Sequence, residues 1–520
     1  MLRFALIKRI ALCIGLTTAL GVVLADTGAD DGATSVSPEL EKYRKRTDHF
    51  RHAIGYPPTS KRWERGKDAS HAQAWAETDR AWSVMLYRQG IIDHETAAKL
   101  LSGIRNMKNG GEAQVLKAVG GDSDVASASI IGRTRQEPMC RMVVRDKQLD
   151  VMGRMLKTMD ACLVVGDKHA ETVMNGQTHM ADAQPTTYGA YQVAVFDGLQ
   201  RGFEQMELAY SHTNKSSVGC GALSGSGWPI DRMKVADLLG FDGIVEPSYD
   251  CEAGQDHALT TLFALTNITN LMSRTAMDHY IWMMDGNMWF VLPGGYQQPS
   301  SMMPQKESVG CVWEHMQIKA AEVGGLATRG MLACHNQPFQ DQLPIYVAWK
   351  SVNSAAKSTE HSLSIYGNAI QDIQPQEELL LKLASESYSC AADVKVVLTR
   401  DYGYGLRHAH RVVATFFRLA KERGIPANRA TGALLDEAAE FLGEEGPHMP
   451  DQELRDLLDP VKFLERHTNP GDPNPDETRR MVQVRRERLA EMQARHDERQ
   501  EKIKDAHQRL LAEIDEITGN

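Results

Sequence analysis

A chain of 520 residues, 42% hydrophobic and 24% charged, has the composition of a folded globular protein and the length to bury a large core. Its 58 Lys+Arg against 68 Asp+Glu give a formal net charge of -10, which excludes a basic nucleic-acid footprint. Eight Cys in this length make no disulfide scaffold.

The chain opens as an export signal. Arg3, Lys8 and Arg9 form a positive start, an apolar run follows from Ile10 to Leu24, and Val23-Leu24-Ala25 fits a small-residue cleavage site. The run is short for a membrane span of about 20 residues, so cleavage after Ala25 and a periplasmic or secreted product are expected, with no membrane attachment after cleavage. Loss of Cys13 leaves seven of the eight Cys, an odd number that points to free thiols.

Residues 26–135 read as a polar tail followed by a helical domain. Trp82, Met85, Leu86, Ile91, Ala97, Leu100 and Leu101 recur at helical spacing between Trp75 and Met107. A Gly/Ser-rich interval then runs from Gly110 to Gly132. Residues 136–375 read as a central bundle, with helices predicted at about 141–174, 188–210, 256–288 and 310–331. A helix of about 30 residues is roughly 45 Å long, above the globular mean and suited to a bundle. The strand-helix alternation of a parallel sheet is missing, so the fold class is mainly α. Residues 376–475 read as a further helical domain. Residues 476–520 form a charged helix whose apolar positions (Leu489, Met492, Ile503, Leu510, Ile514, Ile517) are too sparse for a coiled-coil register. A solvated or partner-packing helix is the simplest reading. No phosphate loop and no zinc spacing is present, and Gly219-Cys220-Gly221 with Gly225 fails the dinucleotide fingerprint.

Three segments carry chemistry. The first is Gly176-Gln177-Thr178-His179-Met180-Ala181-Asp182-Ala183-Gln184-Pro185, placed at the opening of a long helix. The second is Gly219-Cys220-Gly221-Ala222-Leu223-Ser224-Gly225, followed by Pro229-Ile230-Asp231-Arg232. The third is Ser300-Ser301-Met302-Met303-Pro304-Gln305-Lys306. In this order and spacing they resemble the argininosuccinate lyases of the fumarase/aspartase superfamily. The third segment is similar to the superfamily signature, and Gly132-Arg133-Thr134-Arg135-Gln136 is similar to a further family motif. The resemblance extends more weakly from about Trp75 to about Arg495.

The resemblance implies a mainly α, three-domain protomer with a central bundle of long helices, assembling into a homotetramer whose active sites draw on several protomers. It implies β-elimination of fumarate from an N-substituted, aspartate-derived small molecule, without cofactor or metal. Such a reaction needs a positioned base and donors aimed at the charge that develops on the substrate carboxylate. On the same basis Ser300 is the base, Lys306 neutralises the charged intermediate, and His179 lies near the leaving group. Glu314 is the carboxylate that orients His179. Thr178, Thr134, Arg135, Gln136, Ser301, Ser308, Asn336 and Gln340 are the substrate-binding positions. Gly294-Gly295 would let the serine loop move.

Departures from the family pattern bear on the substrate. Pro299 stands for the Gly before the serine pair, Ser308 and Gln136 stand for Asn, and Thr134 for Ser. In the stretch His335 to Leu343, Leu343 stands for a Lys and Gln342 for an Asp. Losing charged contacts in a buried pocket changes specificity strongly. An N-substituted aspartate with a less cationic amine part is therefore expected. Argininosuccinate itself, and a non-catalytic protein on the same scaffold, are the alternatives.

Overall fold

The computed structural model describes residues 71–519 apart from 135–138, 297, 304–306, 309, 343 and 345. The expected signal segment and the tail up to residue 70 lie outside the described residues.

Two helices, α1 (His71–Arg88) and α2 (His94–Ile104), replace the single predicted stretch from 75 to 107. The break falls at Gly90, whose φ of 66° is left-handed, and Asp93 then caps α2 by accepting from the Thr96 amide. The Gly/Ser-rich interval is not loop throughout. It holds α3 (Glu112–Ala118) and α4 (Ser123–Ala128), the latter capped by Asp122.

The bundle begins with α5 (Met139–Lys168). A hairpin of β1 (Val173–Thr178) and β2 (Ala181–Thr187) leads into α6 (Tyr188–Thr213). Then come α7 (Arg232–Leu238), α8 (Ser248–Ala253) and the long α9 (Asp256–Trp282). Short strands β3 (Phe290–Val291), β4 (Gln298–Pro299) and β5 (Glu307–Ser308) precede α10 (Cys311–Cys334) and α11 (Tyr346–Asp372). Helices α5, α6, α9, α10 and α11 pack side by side. Their seam is lined by Met155, Phe196, Phe203, Leu265, Met272 and Leu363. At one crossing α5 and α6 approach so closely that a Cβ on Gly189 would collide with the Gly166 carbonyl, so only glycine fits.

After β6 (Gln374–Pro375), paired with β3, follow α12 (Glu377–Glu386), α13 (Ala391–Arg400), α14 (Leu406–Glu422), α15 (Gly432–Glu440), α16 (Asp451–Leu458) and α17 (Pro460–Arg466). A second core, including Val394, Leu398, Phe416, Leu435, Leu454 and Phe463, joins α13 to α17.

The last helix, α18 (Pro475–Thr518), is a helix as expected, but it is neither solvated nor left for a partner: it packs on its own chain. At 44 residues it is about 66 Å long and lies along α5, α1, α2, α6 and α7 of its own chain. Met492, His496, Ala506, Leu510, Ile514 and Ile517 are buried on its inner face. His496 and Ala506 complete an inward stripe with three- and four-residue steps that is patchy when only large apolar residues are counted. The charged residues find partners beside it. Arg485 grips Asp197 at 2.6 Å and Arg105 meets Asp515 at 2.6 Å, while Arg495 and Arg499 both reach Glu207 at 2.9 Å.

Candidate active site

The bundle has two ends, and the expected site residues divide between them. At one end an aromatic cluster ties the elements together. Tyr188 at the start of α6 donates to Nε2 of His279 at 3.0 Å, and His279 Nδ1 donates to the Thr275 carbonyl at 2.7 Å. That network sets the His279 tautomer. The His279 ring stacks on Trp313 of α10 at 4.7 Å and meets Tyr366 of α11 edge-on at 5.9 Å. Complete burial brings His279 down to about 4, so the ring is neutral. The N-termini of α6 and α10 and the C-termini of α9 and α11 are thereby locked in one place.

On this platform stands the β1–β2 hairpin. The structure corrects the reading of the Thr178-His179 segment as a helix opening: the segment is the tip of the hairpin, and the helix starts at Tyr188. Thr178 pairs with Ala181, so His179 and Met180 form a two-residue turn with φ of 55° and 63°. Left-handed conformation at both central positions is the I′ geometry usually filled by Asn-Gly. Here it lifts the His179 side chain into the open, and Thr178, His179 and Met180 are all exposed. Non-glycine residues held in this region mark functional sites disproportionately. The hairpin is braced from behind, where the Asn175 amide donates to Asp182 Oδ2 and Ser387 Oγ at 3.1 Å each. No periodicity in the sequence announces this brace. A cavity of 960 Å³, lined partly by Asp182, Tyr388, Lys395 and Phe417, opens between β2 and the C-terminal helices.

The serine loop belongs to the same end. Its base is an antiparallel pair, Gln298 opposite Ser308 and Pro299 opposite Glu307. Gly294 and Gly295, expected as a hinge, lie instead in a 3₁₀ turn ending in Tyr296, which is buried and donates to Asp372 Oδ2 at 2.6 Å. Ser300 Oγ accepts the Met302 and Met303 amides at 3.3 and 3.1 Å. Two backbone N–H dipoles aimed at one hydroxyl oxygen favour its anionic form, as a serine base requires. Ser301 is exposed beside it. Glu314 is exposed in the first turn of α10, which directly follows this loop. Lys306 lies outside the described residues, as does the side chain of Ser308.

The other end carries the remaining positions. Arg133 is buried and ion-paired to Asp79, whose second oxygen accepts the Gly111 amide at 3.0 Å, and Trp82 Nε1 donates to the Ile131 carbonyl at 2.9 Å. These contacts fix the segment that presents Thr134, while Arg135 and Gln136 lie outside the described residues. Asn336 follows the C-terminus of α10 with φ 57°, a conformation Asn tolerates, and Gln340 lies half-buried four residues on. Phe339 stacks on Tyr249 at 5.7 Å. Leu343, the expected Lys replacement, is outside the described residues.

Glu314 and Asn336 lie at opposite ends of α10. The helix from Glu314 to Cys334 covers roughly 30 Å. One protomer therefore does not bring its own two sets of residues together. Among the described residues no three His, Cys, Asp or Glu side chains are grouped to hold a metal ion, and no helix is long and apolar enough to cross a membrane.

Comparison with known proteins follows the same lines. Residues 139–325, from the start of α5 into α10, match the family model described as lyase. The chain is 26% identical over 471 residues to the argininosuccinate lyase of Methanothrix thermoacetophila, covering 85% of this chain and 93% of that one. It is 28% identical to the argininosuccinate lyase of Methanosarcina barkeri, over 79% and 86% of the two chains. The chain is thus similar to argininosuccinate lyases over most of its length, at 26–28% identity for these two. Among solved structures, an EDDS lyase variant with bound fumarate superposes with a TM-score of 0.80 at 24% identity, covering 94% of this chain and 97% of that one.

Proposed function

We propose that this chain is a carbon–nitrogen lyase that eliminates an amine from an N-substituted aspartate and releases fumarate. The observation that carries the reading is Ser300, its oxygen seated on two backbone amides at the bundle end that also presents His179 and Glu314. Ser300 removes the proton from the carbon beside the substrate carboxylate. The electron pair forms the new C=C bond as the C–N bond breaks, and the amine departs with a proton delivered through the His179 side. Glu314 orients His179. Thr178, Thr134, Ser301, Ser308, Asn336 and Gln340 hold the substrate's polar groups, with Arg135, Gln136 and Lys306 supplying the remaining contacts.

The site is completed between protomers of a homotetramer. The 30 Å of α10 between the two residue sets supports this, as does an apolar face left open on the bundle. Phe263, Met277 and Tyr280 of α9, Met284 just past its end, and Ile318 and Leu332 of α10 are exposed, and the backbone at Gly324 and Gly325 has open space above it. Contiguous apolar surface of this kind on a bundle is covered in an oligomer. The N-terminal segment, with Arg3, Lys8 and Arg9 ahead of an apolar run ending at Ala25, directs the chain to the periplasm or outside the cell. Gln342 and Leu343 in the leaving-group stretch favour an amine less cationic than that of argininosuccinate.

Replacing Ser300 by Ala tests the assignment of the base. Fumarate release is expected to fall by roughly 10²–10⁴-fold with the tetramer intact. Retention of most of the rate would remove Ser300 from the mechanism.

A further inference from the structure

A second reactive group sits in the glycine-rich turn after α6, whose continuation at Ser226 and Ile230 packs against Gly132. Cys220 is fully buried in the tight segment from Gly219 to Gly225, where the Gly225 amide donates to the Cys220 carbonyl at 2.6 Å. Cys251 lies in α8, and the two sulfurs pack together with Val245. Arg232, from the Pro-Ile-Asp-Arg segment, points Nη2 at Cys251 Sγ from 3.1 Å while its Nε holds the Val218 carbonyl at 3.1 Å. On the other side Cys220 Sγ is 3.3 Å from Oε1 of the buried Glu252. The single S–H of Cys220 has three acceptors in reach, that carboxylate, the Gly221 carbonyl at 3.6 Å and the Cys251 sulfur.

We propose that Cys220 and Cys251 are a dithiol that a peroxide converts to an intramolecular disulfide, with Arg232 steadying the Cys251 thiolate and Glu252 receiving the Cys220 proton. The thiolate, not the thiol, is the reactive species, and a neighbouring cation raises its population. The hydrogen bond from Cys220, with the Arg232 guanidinium behind it, outweighs burial and brings Cys251 down to about 7. The other buried thiols move the opposite way: burial pushes Cys162 up, and Cys390 up to about 12.

The chemistry balances in two steps. The Cys251 thiolate attacks one oxygen of hydrogen peroxide and the O–O bond breaks, giving a sulfenic acid and a hydroxide that becomes water with the proton Cys251 released to solvent on ionising. The Cys220 sulfur, its proton passed to Glu252, attacks the Cys251 sulfur. The S–O bond breaks and the hydroxide leaves as water with the proton that Glu252 had taken. Two thiols and one peroxide become one disulfide and two waters. The bridge ties the Gly219–Gly225 turn to α8. Neither sulfur takes part in the elimination, so the result stands apart from the lyase assignment.

The test is peptide mapping of the purified full chain after treatment with hydrogen peroxide and alkylation of the remaining thiols. The peptides holding Cys220 and Cys251 are expected to appear joined, and dithiothreitol should separate them. In Cys220→Ser the second step is blocked, so Cys251 should stop as a sulfenic acid captured by a 1,3-diketone probe. Oxidation of wild-type Cys251 to sulfinic acid with Cys220 still free would overturn the proposal. So would both thiols remaining unmodified at peroxide doses that oxidise other cysteines of the folded chain.

Discussion

Mixing two inactive variants offers a quantitative test of the divided site. Ser300→Ala removes the proposed base at one bundle end, and Asn336→Ala removes a proposed substrate contact at the opposite end, beyond the C-terminus of α10. With about 30 Å of helix between the two ends, these residues cannot serve one substrate from within one protomer. In a symmetric tetramer each site then takes Ser300 from one subunit and Asn336 from another. After denaturation and random reassembly of equal amounts, a site is intact only when its Ser300 donor is an Asn336→Ala subunit and its Asn336 donor is a Ser300→Ala subunit. Each choice has even odds, so about a quarter of the sites are restored. The assay is fumarate formation by the refolded mixture, against each variant refolded alone and refolded wild type. Recovery near a quarter of the wild-type rate supports shared sites. No recovery from a mixture shown by mass spectrometry to contain hybrid tetramers would refute the reasoning, because each protomer would then carry a complete site.

Further outcomes follow from single contacts. Leu510 is fully buried on the inner face of α18, so Leu510→Ala should cost about 2–5 kcal/mol in urea unfolding, whereas a solvated tail would show almost no change. His279 is held neutral at about 4, below its unfolded value near 6.5. Between those values the unfolded chain binds the extra proton, so this ring contributes stability above pH 6.5 that is lost as pH falls towards 4, on the order of 3 kcal/mol. His279→Gln should flatten the stability–pH curve in that window, and an unchanged slope would remove His279 as its source. Met180 occupies a left-handed position with an exposed side chain, so Met180→Gly should raise the melting temperature through relief of roughly 1 kcal/mol of backbone strain. A lower melting temperature would mean that the Met180 side chain supports the turn.

The long bundle helices are legible because their apolar residues repeat over many turns, as in α9, where Leu262, Leu265, Ile268 and Met272 all face the core. The hairpin that carries His179 is not legible in that way. Gly176 breaks its pairing at a bulge, Pro185 sits within β2, and burial along β1 does not alternate, so no two-residue period runs through the hairpin. Likewise α18 conceals its packing because His496, Ala506 and the stems of Arg485 and Arg499 fill positions between the large apolar residues. The proposed site residues are read from the order of their motifs. Their division between the two bundle ends is a property of helix length and direction that the motifs alone do not carry.

The central claim, elimination of an amine with release of fumarate, is met most directly by following ultraviolet absorbance of fumarate as the purified chain acts on a panel of N-substituted aspartates that includes argininosuccinate. Turnover of an adduct whose amine part is less cationic than arginine is expected, abolished in Ser300→Ala. Fumarate from none of the panel, by a folded tetramer, would contradict it.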